Sequence, residues 1–248
     1  MDQNSLKAKE AAEEMAAEEG EVKVLGMWAS PFVMRARIAL RLKGVAYELL
    51  EENLVQKSEL LLASNPVYKK VPVLIHGGRP VCESLIIVQY VDDVWPSSGR
   101  RPPLLPVDRY ERALHRFWAA YFDDKVFPAM GSIVKPGTEV KANSAEEVFA
   151  ALNHLEAVLA ECGGEGDKLG HPFFGGDEIG YLDIAVGSML GWLRTTGKLA
   201  GVEFLDAEKM PLLVAWAQNF CDHEAVKDLM HDEDKLLELA KLMQQATK

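Results

Sequence analysis

Three short segments carry side chains whose types and order could bind and activate a small polar ligand. The first is Ser30-Pro31-Phe32-Val33-Met34-Arg35, directly after the apolar run Val22 to Trp28. Serine is a preferred N-cap, and proline suits the first helical position because its missing N–H would be unpaired there anyway. The pattern predicts a strand that ends before Ser30 and a helix that opens at it. A hydroxyl at that point lies among free backbone N–H groups, at the positive end of the helix dipole, and could hold an anion such as a thiolate. Read alone, the same residue is an ordinary helix cap.

The second segment is Val71-Pro72-Val73-Leu74, a short strand with proline near its start. Proline inside a sheet is confined to edges, strand starts and bulges. By itself the segment reads as an edge strand with an ordinary trans proline. A cis peptide before Pro72 is the other way to fit it. The Val71 N–H and C=O could then face a cleft and pair with an extended peptide. After a Gly77-Gly78 turn, Glu83-Ser84 precedes an apolar helix pattern, Leu85 to Val94. Glutamate at a helix start offers an acceptor for an ammonium, and serine with the first N–H groups offers donors for a carboxylate. The plainer reading is a cap and a favourable first-turn charge.

These segments lie in the order strand, Ser-Pro helix, strand (Val45 to Leu50), helix (Ser58 to Ala63), Val-Pro strand, turn, strand, Glu-Ser helix. That is β-α-β-α-β-β-α, a mixed sheet with helices on it. With Lys57-Ser58, Asn65-Pro66-Val67, Lys70-Val71-Pro72-Val73-Leu74, Cys82-Glu83-Ser84 and Tyr90-Val91-Asp92-Asp93-Val94-Trp95 in one continuous block, the chain resembles a cytosolic glutathione S-transferase, and within that family the plant tau class.

The resemblance implies an α+β protein with a thioredoxin-like domain at 21–97, a linker at 98–107 and an all-helical domain at 108–248. The implied activity is conjugation of glutathione to hydrophobic electrophiles, as in xenobiotic and herbicide detoxification. Glutathione enters as a co-substrate, and no cofactor or metal is implied. Ser30 would donate a hydrogen bond to the sulfur. Lys57 would meet the glycyl carboxylate, the Val71 backbone the cysteinyl residue, and Glu83 and Ser84 the γ-glutamyl end. Phe32, Trp118, Phe122 and Trp192 are candidates for the electrophile pocket. A homodimer in the cytoplasm is implied, with neither nucleic acid nor membrane as a partner. A ligandin that binds apolar metabolites or conjugates without turnover is the alternative. A thiol reductase is disfavoured because serine, not cysteine, stands at position 30.

Composition agrees. The 248 residues are 48% hydrophobic, enough for one large or two small cores. Three scattered cysteines, Cys82, Cys162 and Cys221, suggest neither a disulfide framework nor a zinc site and point to a reducing compartment. Residues 21–100 carry ten Lys and Arg against eight Asp and Glu, while the chain as a whole has a formal net charge of −11. A slightly basic first domain suits a small anion, and the acidic whole argues against nucleic acid and anionic membrane surfaces. Residues 1–20, rich in Ala and Glu, are expected to form an acidic, disordered extension.

The second half turns helical. Ser144 is expected to cap a helix to Cys162, with Glu147 completing a capping box. Helices are also expected over Pro211 to Phe220 and Ala225 to Gln244. Ile179-Gly180-Tyr181-Leu182-Asp183-Ile184 places Gly180 at an N-cap and Asp183 three residues on, with Ile179 and Ile184 as a hydrophobic staple. Asp183 is read as a folding residue. His115 and His171 are read as packing or surface residues.

Overall fold

A computed structural model of the chain describes residues 20–95, 102–134, 143–162 and 171–245. The expected extension (1–20) falls almost wholly outside them, as does the first part of the expected linker. The chain divides after Arg101 into two compact units.

The first unit is a four-stranded sheet with three helices. Strands β1 (Val22–Gly26), β2 (Glu48–Glu51), β3 (Val73–His76) and β4 (Arg79–Cys82) lie in the order β2-β1-β3-β4. β1 runs parallel to β2 and antiparallel to β3, and β3 is antiparallel to β4. Helices α1 (Pro31–Leu42), α2 (Glu59–Ser64) and α3 (Ser84–Val94) complete the predicted order. β3 is an inner strand, not an edge. Pro72 precedes its first residue, so no ladder N–H is lost, and the Val71–Pro72 peptide is cis. The trans, edge-strand reading is therefore corrected. Gly77 and Gly78, with φ of 54° and 79°, make the tight turn that the dipeptide predicted.

α1 buries Val33, Met34, Ala36, Ile38, Ala39 and Leu40. It also buries Arg35 completely. At its end Lys43, fully buried, pairs with Asp92 of α3 at 2.7 Å, tying the two helices together.

The second unit is helical: α4 (Arg109–Val134), α5 (Ser144–Cys162), α6 (Tyr181–Gly187), α7 (Leu190–Ala200), α8 (Pro211–Asp222) and α9 (Glu233–Gln245). Ser144 is not the cap of α5 but its first residue. The Glu147 N–H reaches the Asn143 carbonyl, and the Ser144 hydroxyl instead meets Ser132 of α4 at 2.6 Å. The single helix expected from Ala225 is also corrected. Turns occupy the stretch to Met230, and α9 starts only where the Asp232 carboxylate accepts the Asp234 and Lys235 N–H groups. α6 and α8 approach so closely that a Cβ on Gly187 would collide with the Phe220 ring.

Asp183 is fully buried. Its carboxylate accepts from the N–H groups of Phe174, Gly175 and Gly180 and from Trp216 Nε1, at 2.7–3.0 Å. It holds the 173–180 loop, the start of α6 and α8 around one charge. Burial pushes its carboxyl up to about 6, although the four donors pull the other way.

Candidate active site

Strand register gathers the predicted residues at one end of the sheet. Leu25 of β1 pairs with Val73 of β3, and Val73 pairs with Cys82 of β4. Val71 and Pro72 therefore lie beside the end of β1 that leads to Ser30, and Glu83 follows directly on the other side. Gly26 pairs with Glu51, so the loop carrying Lys57 leaves from the same end.

Ser30 is 9% exposed and caps α1. Its oxygen accepts the Val33 N–H at 3.3 Å. No described group accepts its proton, so the O–H remains able to donate. The helix N-terminus behind it adds positive potential. This geometry can stabilise an anion.

Neither the N–H nor the C=O of Val71 is bonded to another described residue, which leaves an extended segment two backbone groups to pair with. Glu83 occupies the N-cap position of α3 without a side-chain cap bond, at φ 70°, a positive value unusual for glutamate. Such backbone strain tends to persist where the surroundings demand it. Its carboxylate is exposed, while Ser84 is buried at the first position of α3. Ser84 Oγ accepts from Arg35 Nη1 at 3.3 Å, which leaves the serine proton to donate. Lys57 is half-buried, and no described carboxylate lies within 4.0 Å of its ammonium.

Arg35 is the residue that sequence reasoning passed over. Besides Ser84, its guanidinium lies 5.1 Å from the centroid of the Phe32 ring. The available signal was a charge at a position of α1 otherwise spaced for burial.

The four aromatic candidates divide by exposure. Phe32, Trp118 and Trp192 are half-buried. Phe122 is 1% exposed and presents no surface to a ligand. Trp118 packs edge-on against Phe117 and Tyr121. Two cavities in the helical unit, of about 500 and 450 Å³, are lined by other residues and include none of these four. His115 is buried with its imidazole driven toward neutrality, and His171 meets Asp177 at the surface, as their packing and surface readings anticipated.

Two family descriptions match the chain: "Glutathione S-transferase, N-terminal domain" over residues 20–93 and "Glutathione S-transferase, C-terminal domain" over 138–219. Glutathione S-transferase U17 of Arabidopsis thaliana is 52% identical over 89% of this chain and 95% of its own length. The chain belongs to the glutathione S-transferase family.

Within the family this glutathione S-transferase is of the tau class. A crystal structure of a tau-class enzyme from mango, Mangifera indica, is 52% identical, covers 90% of this chain and 98% of that one, and superposes with a TM-score of 0.81. A rice enzyme solved in complex with glutathione is 35% identical, covers 93% and 99%, and gives the same TM-score.

Proposed function

We propose that this glutathione S-transferase joins the sulfur of glutathione to hydrophobic electrophiles of the xenobiotic and herbicide kind, with Ser30 stabilising the thiolate. The observation that carries the reading is the Ser30 hydroxyl. Its oxygen is engaged by its own helix, and its proton is left to donate. A free thiol has a pKa near 8.5, so only a few per cent is thiolate at neutral pH. A hydrogen bond to the anion raises that share. The thiol proton leaves to solvent, a sulfur lone pair forms the carbon–sulfur bond, and the leaving group departs with its electron pair. Serine is neither the nucleophile nor the base.

The other contacts are those that the family resemblance implies, and the chemistry of each group suits them. Lys57 pairs with the glycyl carboxylate. The Val71 backbone pairs with the cysteinyl residue. Glu83 takes the γ-glutamyl ammonium, and Ser84 with the first N–H groups of α3 takes its carboxylate. Phe32, half-buried two residues from Ser30, offers apolar surface for the electrophile. A homodimer in the cytoplasm is part of the same proposal, and sedimentation velocity would read twice the 27.5 kDa chain mass.

The test is thioether formation from glutathione and a chloronitrobenzene by the purified protein, followed in ultraviolet absorbance. Turnover that saturates in both substrates supports the enzyme. Tight binding of an apolar dye with no turnover across a panel of electrophiles would instead make the protein a ligandin.

A further inference from the structure

The loop that delivers Lys57 is held by its own side chains. Glu52 follows β2 and is 6% exposed. Its N–H is anchored on the Gly26 carbonyl at 2.6 Å. One carboxylate oxygen accepts the Ser58 hydroxyl proton at 2.6 Å, and the other accepts the Ser58 N–H at 3.3 Å. Ser58 Oγ in turn accepts the Leu61 N–H at 3.0 Å and caps α2. Between these ends, Asn53 Oδ1 accepts the N–H groups of Val55 and Gln56 and tightens the turn. The carboxylate of residue 52 is thus spent on residue 58, and it lies farther than 4.0 Å from the neighbouring ammonium of residue 57. A buried carboxylate that clamps a backbone N–H and a capping hydroxyl fixes the chain on both sides of a cation without neutralising it. That is the arrangement a site needs to meet a ligand carboxylate with little ordering cost.

We propose that Glu52 is a positioning residue for glutathione binding: through its two bonds to Ser58 it holds Lys57 where the glycyl carboxylate arrives. This rests on the Lys57 contact proposed above. Glu52 touches neither the substrate nor the reacting sulfur, so its loss weakens binding and leaves the chemical step alone.

The experiment is steady-state kinetics of Glu52→Ala and Glu52→Gln, each alone and combined with Lys57→Ala, at saturating electrophile. Loss of the clamp should raise KM for glutathione about three- to tenfold and leave kcat within about twofold. In the Lys57→Ala background the same change should add nothing. With γ-glutamylcysteine, which lacks the glycyl residue, the Glu52 variants and the parent should share one KM. A purely structural role would move KM for both thiols alike and persist without Lys57, and either result overturns the proposal. An unchanged KM in both Glu52 variants, with a raised KM in Lys57→Ala, overturns this inference and leaves the Lys57 contact standing. An unchanged KM in Lys57→Ala removes that contact, and the inference falls with it. If Glu52→Ala does not fold, Glu52→Gln carries the test, since it keeps the volume and loses only one acceptor and the charge.

Discussion

On the proposed reading Ser30 uses one side chain for two tasks, and removing it takes away both. The serine oxygen satisfies a helix-start N–H, and its proton is left to donate. Ser30→Ala deletes a hydrogen bond to an anion, worth about 1.5–3 kcal/mol, so kcat should fall about ten- to a hundredfold. KM for glutathione should move far less, because the contacts proposed for the rest of the tripeptide remain. The thiolate absorbance of bound glutathione should titrate at higher pH. Parental turnover in the variant would remove Ser30 from its proposed role. Serine, proline and the Glu-Ser pair were legible in the sequence because caps and first-turn charges are local. Arg35 and Glu52 were not. Each matters through a partner far along the chain or across a loop, 49 and 6 residues away, which no periodicity reveals.

At the scale of elements, the order of strands and helices was readable from turn residues and apolar spacing. The range of α5 was readable too, but its cap and the start of α9 were not, because Ser144 was taken by a tertiary partner and Asp232 competed successfully for helix-start N–H groups. Asp183 was readable as a cap. Its bonds to Phe174, Gly175 and Trp216 depend on tertiary packing. Asp183→Ala strands four donors in the interior and should cost about 3–5 kcal/mol, more than the roughly 0.5–2 kcal/mol of a cap alone. The folded fraction should keep its activity per site. Its titration carries a sign. The folded carboxyl, at about 6, binds its proton more tightly than the unfolded one at 3.8. Between these values the native state holds more protons, so this group's contribution to stability falls as pH rises from about 4 to 6. Denaturant melts of Asp183→Asn over that window should lack the fall seen in the parent. Gly187→Ala forces a methyl into the Phe220 ring and should cost about 1–3 kcal/mol by the same melts, with KM unchanged.

Across the whole molecule, the protein's own sulfur is kept quiet. Cys82, Cys162 and Cys221 are all partly buried, and burial is the first cause that raises each thiol, Cys162 to about 11. The chemistry proposed for Ser30 does the reverse for the thiol of the substrate. Brief iodoacetamide treatment of the native protein at pH 7.5 should therefore leave all three cysteines largely unmodified by mass, whereas the urea-unfolded chain should take up three labels. Rapid native labelling of any one would show an activated cysteine, against the raised thiols that burial gives all three. The two units share this character. Among the described residues, no helix is long and apolar enough to cross a membrane, and no group of acidic, histidine and cysteine side chains could hold a metal.

The unbonded main chain at Val71 has a consequence for mutation. A ligand that pairs with an N–H and a C=O meets the same two groups whatever side chain the codon specifies. A scan of every substitution along the chain should therefore show tolerance at this position, limited by the modest packing of Val71 against Leu25, Leu61, Val73 and Ile75. Proline is the exception, since it alone deletes the donor. An inhibitor built to lie along this segment would leave the protein a single amino acid by which to escape at residue 71, and, given the contact proposed there, that escape would forfeit glutathione as well.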